Sequence, residues 1–187
     1  MTSFPLLLTQ RLVLRELVPD DAEALFDIHS DEQVMRWFGA DPIATVDQAK
    51  QLIAMFADWR TPPASGTRWA IVRRADDQLL GTAGLFKWNR SWHNCVLGYE
   101  LGRAYWSMGY MQEALHAMLD YGFSTMHLHR VQAEIHPDNA ASIRVVQRLG
   151  FSYEGTHRQQ GFWGQRFHDL QCFSLLASEW PPTSTDA

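Results

Sequence analysis

Cysteine is almost absent from this sequence: only Cys95 and Cys172 occur, each inside an apolar, strand-like segment and neither in a Cys-x-x-Cys or Cys/His cluster. A disulfide framework is thereby excluded and a zinc site is not suggested, so both thiols read as small buried hydrophobes. Long apolar runs are lacking too. Stretches such as Phe4 to Leu8 and Leu175 to Ala177 fall far short of the ~20 residues that span a bilayer, and no charged start leads into an apolar stretch with a small-residue cleavage site. The expected location is cytoplasmic, with no membrane partner. Positive charge is in deficit, 16 Lys and Arg against 21 Asp and Glu, and the pI is near 5.9. A counterion-release grip on DNA or RNA needs clustered Lys and Arg, so nucleic acid is not an expected partner. Eight histidines invite a metal, but His127 and His129 fall in a turn and no fixed helical spacing joins them to His136, so no metal is expected.

What is present describes an ordinary globular chain: 187 residues, 46% hydrophobic and 20% charged. Such a length suits one domain with one core and a cleft. Leu12 to Leu14, flanked by Arg11 and Arg15, reads as a strand, and Pro19-Asp20-Asp21 opens a helix to about His29, because Pro suits a helix entry and acids favour the positive end of its dipole. Thr45 with Gln48 forms a capping-box pattern before Val46, Ala49, Leu52, Ile53 and Phe56, which share one face of a helix ending near Trp59. After the loop Thr61 to Gly66, strand-like runs at Arg68 to Arg73, Leu79 to Lys87 and Asn94 to Leu101 predict an antiparallel meander.

From Tyr110 to Met126, apolar residues recur at helical spacing, and Val131, Ala133 and Ile135 then alternate with polar neighbours as in a strand. Asp138-Asn139 opens a further helix to Leu149, stopped by Gly150, and the last strands follow at Phe151 onward and Leu170 to Leu176. The order predicts an α/β (α+β) domain, a mixed sheet with helices on both faces, over residues 1–180. The Pro- and Thr-rich residues 181–187 read as a frayed tail.

One stretch carries chemistry. Tyr99 to Ala114 reads as a strand end, a short loop around Gly109 and the start of the long helix. A turn of that kind aims several backbone N–H groups at one spot, a ready site for an anion such as a pyrophosphate, and glycine there lets the phosphate approach. Taken alone, one glycine before a helix is also an ordinary turn.

The segment Tyr105-Trp106-Ser107-Met108-Gly109-Tyr110-Met111-Gln112-Glu113-Ala114 resembles the acetyl-CoA motif of GNAT N-acetyltransferases, in the aromatic-Trp-Gly-x-Gly-Tyr-x-x-Glu-Ala form of the RimJ/RimL-like branch. About thirty residues on, His136-Pro137-Asp138-Asn139-Ala140-Ala141-Ser142 and then Leu149-Gly150-Phe151 are similar to that branch's Pro-x-Asn-x-x-Ser motif and its Leu-Gly-Phe ending. The opening Leu8 to Arg15 and the closing Glu179-Trp180 match as well, so the resemblance covers nearly the whole chain.

The resemblance implies a single-domain GNAT fold: a mixed, mostly antiparallel sheet of six or seven strands whose fourth and fifth strands splay apart to admit the pantetheine arm of acetyl-CoA. It implies cofactor contacts at Leu101, Trp106, Ser107, Met108, Gly109, Tyr110, Met111, Asn139, Ser142 and Arg144, the last of which serves equally as a solvated arginine. Ser107 stands where glycine is common and Met111 where a small residue is common, but backbone donors survive both changes. The tyrosine that many relatives use to protonate the leaving thiolate is replaced by Val146.

Acetyl transfer needs a neutral amine, a base for its proton and a donor for the departing sulfur. Glu100, just before the loop, is the candidate base, with a structural ion pair as the equal alternative and Glu134 as competitor. The resemblance casts Ser142 as proton donor or sulfur ligand; the residue alone suits a first-turn helix serine. Tyr153 is a reserve acid or a wall of the acceptor pocket, and Asp169 more naturally orders the last strands. The expected function is acetyl transfer to a primary amine, a peptide N-terminus first and a small molecule (antibiotic, polyamine or amino acid derivative) second, by a monomer or homodimer. A non-catalytic coenzyme A-binding module is the reading from a different class.

Overall fold

Eight strands form one sheet in the order β1-β2-β3-β4-β5-β6-β8-β7 in the computed structural model, which describes residues 3–61 and 63–181. They are β1 (Leu7–Leu8), β2 (Leu12–Arg15), β3 (Gly66–Arg73), β4 (Gln78–Asn89), β5 (Asn94–Leu101), β6 (Arg130–Ile135), β7 (Ser152–Trp163) and β8 (Arg166–Leu176). Five helices accompany them: α1 (Ala22–His29), α2 (Glu32–Met35), α3 (Val46–Asp58), α4 (Tyr110–Ser124) and α5 (Ala140–Arg148). None among the described residues is long and apolar enough to cross a membrane. The predicted meander is β3 to β5, and the tail expected to fray lies, from residue 182 onward, outside the described residues.

The strand count exceeds the expected six or seven because of β1. Its two residues pair with Val13 and Leu14, too short a run to show any alternation. The single turn α2 also escapes periodicity, although the Asp31 side chain caps it by accepting from Gln33 N–H at 2.9 Å. The capping box that opens α3 is present, with Thr45 Oγ1 accepting from Gln48 N–H and Gln48 Oε1 accepting from Thr45 N–H.

Strand alternation sorts the core into two layers. Trp69 and Ile71 of β3 face α4, where Leu115, Met118 and Leu119 are fully buried, while Ala70 and Val72 of the same strand face α1 and α3, against Leu25, Ile53 and Phe56. Each such large apolar side chain stabilises the fold by about 1.5–3 kcal/mol.

Every strand pair is antiparallel except β5 with β6. That parallel ladder runs from Asn94/Arg130 to Leu97/Ala133 and stops, although β5 continues to Leu101 alongside β4 and β6 continues to Ile135 alongside β8. The two strands therefore part beyond Leu97 and Ala133. They are fifth and sixth in chain order, where fourth and fifth were expected, because β1 raises the numbering by one.

Candidate active site

The loop between β5 and α4 enters the helix through Gly109, whose backbone at φ 78° and ψ 0° lies in the left-handed region that costs glycine least. Ser107 also takes a positive φ, 62°, which explains why glycine would suit that position. Arg11 fastens the loop from β2's approach. Its Nη1 donates to the Met108 carbonyl at 3.0 Å, its Nε donates to Glu113 at 2.6 Å, and its guanidinium lies over the Tyr110 ring. Glu113 also accepts from Thr9 Oγ1 and the Arg11 N–H. Burial raises the Glu113 pKa, but hydrogen bonds from Thr9 and Arg11 outweigh it and hold the carboxyl below its ordinary value. The Trp106 indole N–H donates to the Leu101 carbonyl at 2.8 Å and folds the loop's other arm onto the end of β5.

Two cavities flank the parted strands. One, of about 420 Å³, is lined by Leu101, Trp106, Ser107 and Met111 on the loop side and by Asn139 and Ser142 on α5. The other, of about 310 Å³, lies toward α3 and β4, with Phe56, Trp59 and Phe86 in its walls. Both are lined by Trp37, Phe38, Tyr99, Asn139 and Ser142, so they meet where β5 and β6 diverge.

At that junction the Tyr99 hydroxyl lies 2.6 Å from Ser142 Oγ. Burial raises the Tyr99 pKa and the Ser142 hydrogen bond opposes this only in part, so the phenol stays protonated at neutral pH. Ser142 is fixed in turn, its backbone N–H donating to Asn139 Oδ1 at 3.1 Å as the cap of α5. Val146 is fully buried.

Glu100 points to the opposite face of β5 from Tyr99 and is buried, at 6% exposure. Arg68 Nη2 donates to Oε2, while Thr82 Oγ1 donates to Oε1 and His29 Nε2 lies 3.1 Å from it. Burial alone would raise this carboxyl's pKa; attraction by Arg68 and His29, with hydrogen bonds from His29 and Thr82, reverses the sign and lowers it. A carboxylate so stabilised is a weak proton acceptor, which favours the ion-pair alternative for Glu100. Glu134, on β6, lines the smaller cavity instead and lies 3.5 Å from His157 Nδ1.

The expected cofactor contacts are thus brought together at Leu101, Trp106, Ser107, Met111, Asn139 and Ser142, with Met108, Gly109 and Tyr110 adjoining in the loop and first helical turn. Two expected residues lie apart. Arg144 is exposed on α5 and lines neither cavity, and Tyr153, at 55% exposure, bonds Thr156 Oγ1 on β7 and also lines neither. The geometry therefore gives Tyr153 no acid or wall role here, because β7 carries it away from the junction. Sequence reasoning missed Tyr99, Arg11, Arg68 and His29 as site residues. An arginine heading the apolar run Trp69 to Val72 was the one available signal, since a buried charge requires a partner.

Comparison with known proteins points the same way. The family described as an acetyltransferase (GNAT) domain matches residues 11–152. The chain is similar to Uncharacterized N-acetyltransferase YoaA of Bacillus subtilis (strain 168), at 34% identity over 92% of this chain and 97% of the relative. It is also similar to the [Ribosomal protein uS5]-alanine N-acetyltransferase of Escherichia coli (strain K12), at 32% identity over 57% of this chain and 56% of the relative. Among solved structures, a GNAT-family acetyltransferase from Bacillus anthracis superposes with a TM-score of 0.81 at 25% identity, covering 94% of this chain and 100% of that one.

Proposed function

The chain belongs to the GNAT acetyltransferase family and is an acetyl-CoA-dependent N-acetyltransferase; from that premise we propose that its acceptor is the α-amine of a protein N-terminus. The meeting of two cavities at Tyr99 and Ser142, where β5 and β6 part, is the observation that carries this reading. The larger cavity adjoins the left-handed turn at Gly109 and suits the substrate's pyrophosphate and thiol arm, since amides at a helix start and a sheet edge without its ladder offer hydrogen bonds to both. The smaller cavity then receives the amine.

In this reading the neutral amine's lone pair attacks the thioester carbonyl carbon. A C–N bond forms, the C–S bond breaks and the sulfur leaves as thiolate. The amine's proton passes to Glu134, the carboxylate that lines the acceptor side, while Glu100 keeps Arg68 and His29 in place. The thiolate takes its proton from Ser142, with the Tyr99 hydroxyl behind it as the reservoir. The uS5-alanine enzyme, a relative named for a ribosomal-protein acceptor, supports the choice of an N-terminal amine.

Thiol release measured with short peptides tests the acceptor: turnover is expected with a free N-terminus and none with the same peptide formylated there. Release confined to free small amines would favour the second reading, a small-molecule acceptor, which the modest 310 Å³ cavity also suits. For the proton path, Glu134→Gln is expected to lower kcat at saturating concentrations of both substrates while coenzyme A binding is unchanged, and an unaltered kcat would remove Glu134 from that path.

A further inference from the structure

The smaller cavity is lined largely by aromatic rings, joined by Leu52 and Met55 of α3. Trp37, Phe38, Phe56, Trp59, Phe86 and Tyr99 all line it. The rings support one another: Trp59 lies 5.1 Å from Phe56 and 5.6 Å from Phe86, so these walls are packed surfaces and not isolated side chains. Gly98 is part of that construction. A Cβ there would come within 2.7 Å of the Phe86 ring, so glycine leaves room for this ring beside β5 in the cavity wall.

The charges around the cavity are already spent. Arg68 is held by Glu100 and lies beside the Phe56 and Phe38 rings, and His29 is bonded to the same carboxylate. Among the described residues lining the cavity, Glu134 supplies the sole carboxylate, and it stands on β6 beside the parted strands. One acid at the reaction end and rings elsewhere match a ligand with a single cationic amine and an apolar body. They match a polyamine less well, since its second and third ammonium groups would meet ring faces, whose cation–π attraction is weaker than pairing with a buried carboxylate, in place of further acids.

We infer that the acceptor is a primary amine borne directly on a bulky apolar group: for a peptide, an N-terminal residue with an aromatic or large branched side chain. The inference rests on the acetyltransfer reading above and narrows it. Glu134 receives the ammonium end, and the pocket formed by Trp59, Phe86 and Phe56 receives the side chain. Alanine or serine at the same position would leave that pocket half filled.

Thiol release with acetyl-CoA, followed for a matched set of amines, tests it. Two peptides differing only in a first Phe or Ala, together with phenethylamine, ethylamine and spermidine, make the set. The Phe-first peptide is expected to exceed the Ala-first peptide in kcat/KM by about tenfold or more, and phenethylamine to exceed both ethylamine and spermidine by a similar factor. Phe86→Ala is expected to reduce each preference ratio at least fivefold, and Phe86→Leu, which keeps the wall apolar, to reduce it less. Equal rates within the set, a preference for spermidine, or ratios that ignore Phe86 in a folded variant would overturn the inference and leave acetyl transfer standing. Absence of thiol release with every amine, alongside coenzyme A binding by calorimetry, would remove the acetyltransfer reading and this inference with it.

Discussion

At Glu100, donors from three separate elements meet one buried carboxylate, and Arg68, at 4% exposure, has little water with which to replace it. Glu100→Gln should therefore destabilise the protein by about 3 kcal/mol, because it leaves Arg68 charged and uncompensated inside the fold. Urea midpoints measured on both proteins check this. A destabilisation below about 1 kcal/mol would mean the pair contributes little. An ion pair was one of the two roles the sequence offered for Glu100, but the partner was not legible, since Arg68 lies 32 residues away and only the β3-β4-β5 register brings the two together. Gly109 was legible for the opposite reason: its function is local, a left-handed entry to a helix. Ser107→Gly should stabilise the protein by about 1 kcal/mol, as a residue with a Cβ pays roughly that for the left-handed region. Gly109→Ala should cost a similar amount and also weaken coenzyme A binding. Thermal melts and calorimetry separate the two effects.

Elements long enough to repeat their own pattern were readable, as was the short β2 from its apolar run between two arginines, but two other short ones were not. α3, α4 and the meander follow from periodicity and caps, whereas β1 and α2 offer two and four residues and no period. The β7-β8 hairpin matters through contacts that no pattern encodes. Near its turn the Trp163 ring stacks on His168 at 3.7 Å, its indole N–H donates to the Arg36 carbonyl at 3.2 Å, and the Gly164 N–H donates to Asp41 at 2.7 Å. These ties fix the segment that carries Trp37 and Phe38 over both cavities, and Trp37 itself stacks on His136 at 4.1 Å. Trp163→Ala is expected to lower stability by about 3 kcal/mol and to raise the acceptor KM several-fold while the coenzyme A dissociation constant changes less. Steady-state kinetics on both substrates reads the difference, and equal effects on the two would show that the hairpin does not favour the acceptor side.

For the molecule as a whole, acid should act in two stages. Burial lowers the His136 pKa, so the unfolded chain binds this proton more readily than the folded one, and stability declines as pH falls below about 6.5. Glu100 and Glu113 have lowered folded pKa values, so their contribution holds above their unfolded values near 4.5 and is lost as pH falls further. Melting temperatures from pH 7 to pH 3 should show both declines, and His136→Phe, which keeps an aromatic partner for Trp37, should reduce the first alone. The fold class was visible in the order of elements, and the parting of two strands followed from the resemblance; where the ladder ends, at Leu97 and Ala133, was not, because hydrogen-bond partners across a crossover leave no trace in spacing. On the proposed reading, that early ending lets the thiol-bearing substrate act as a temporary member of the sheet. Such a protein would be sturdiest while loaded and slackest between turnovers, so amide exchange along Gly98 to Glu100 is expected to slow on loading, and starvation for the acyl donor would expose it to unfolding as well as idle it.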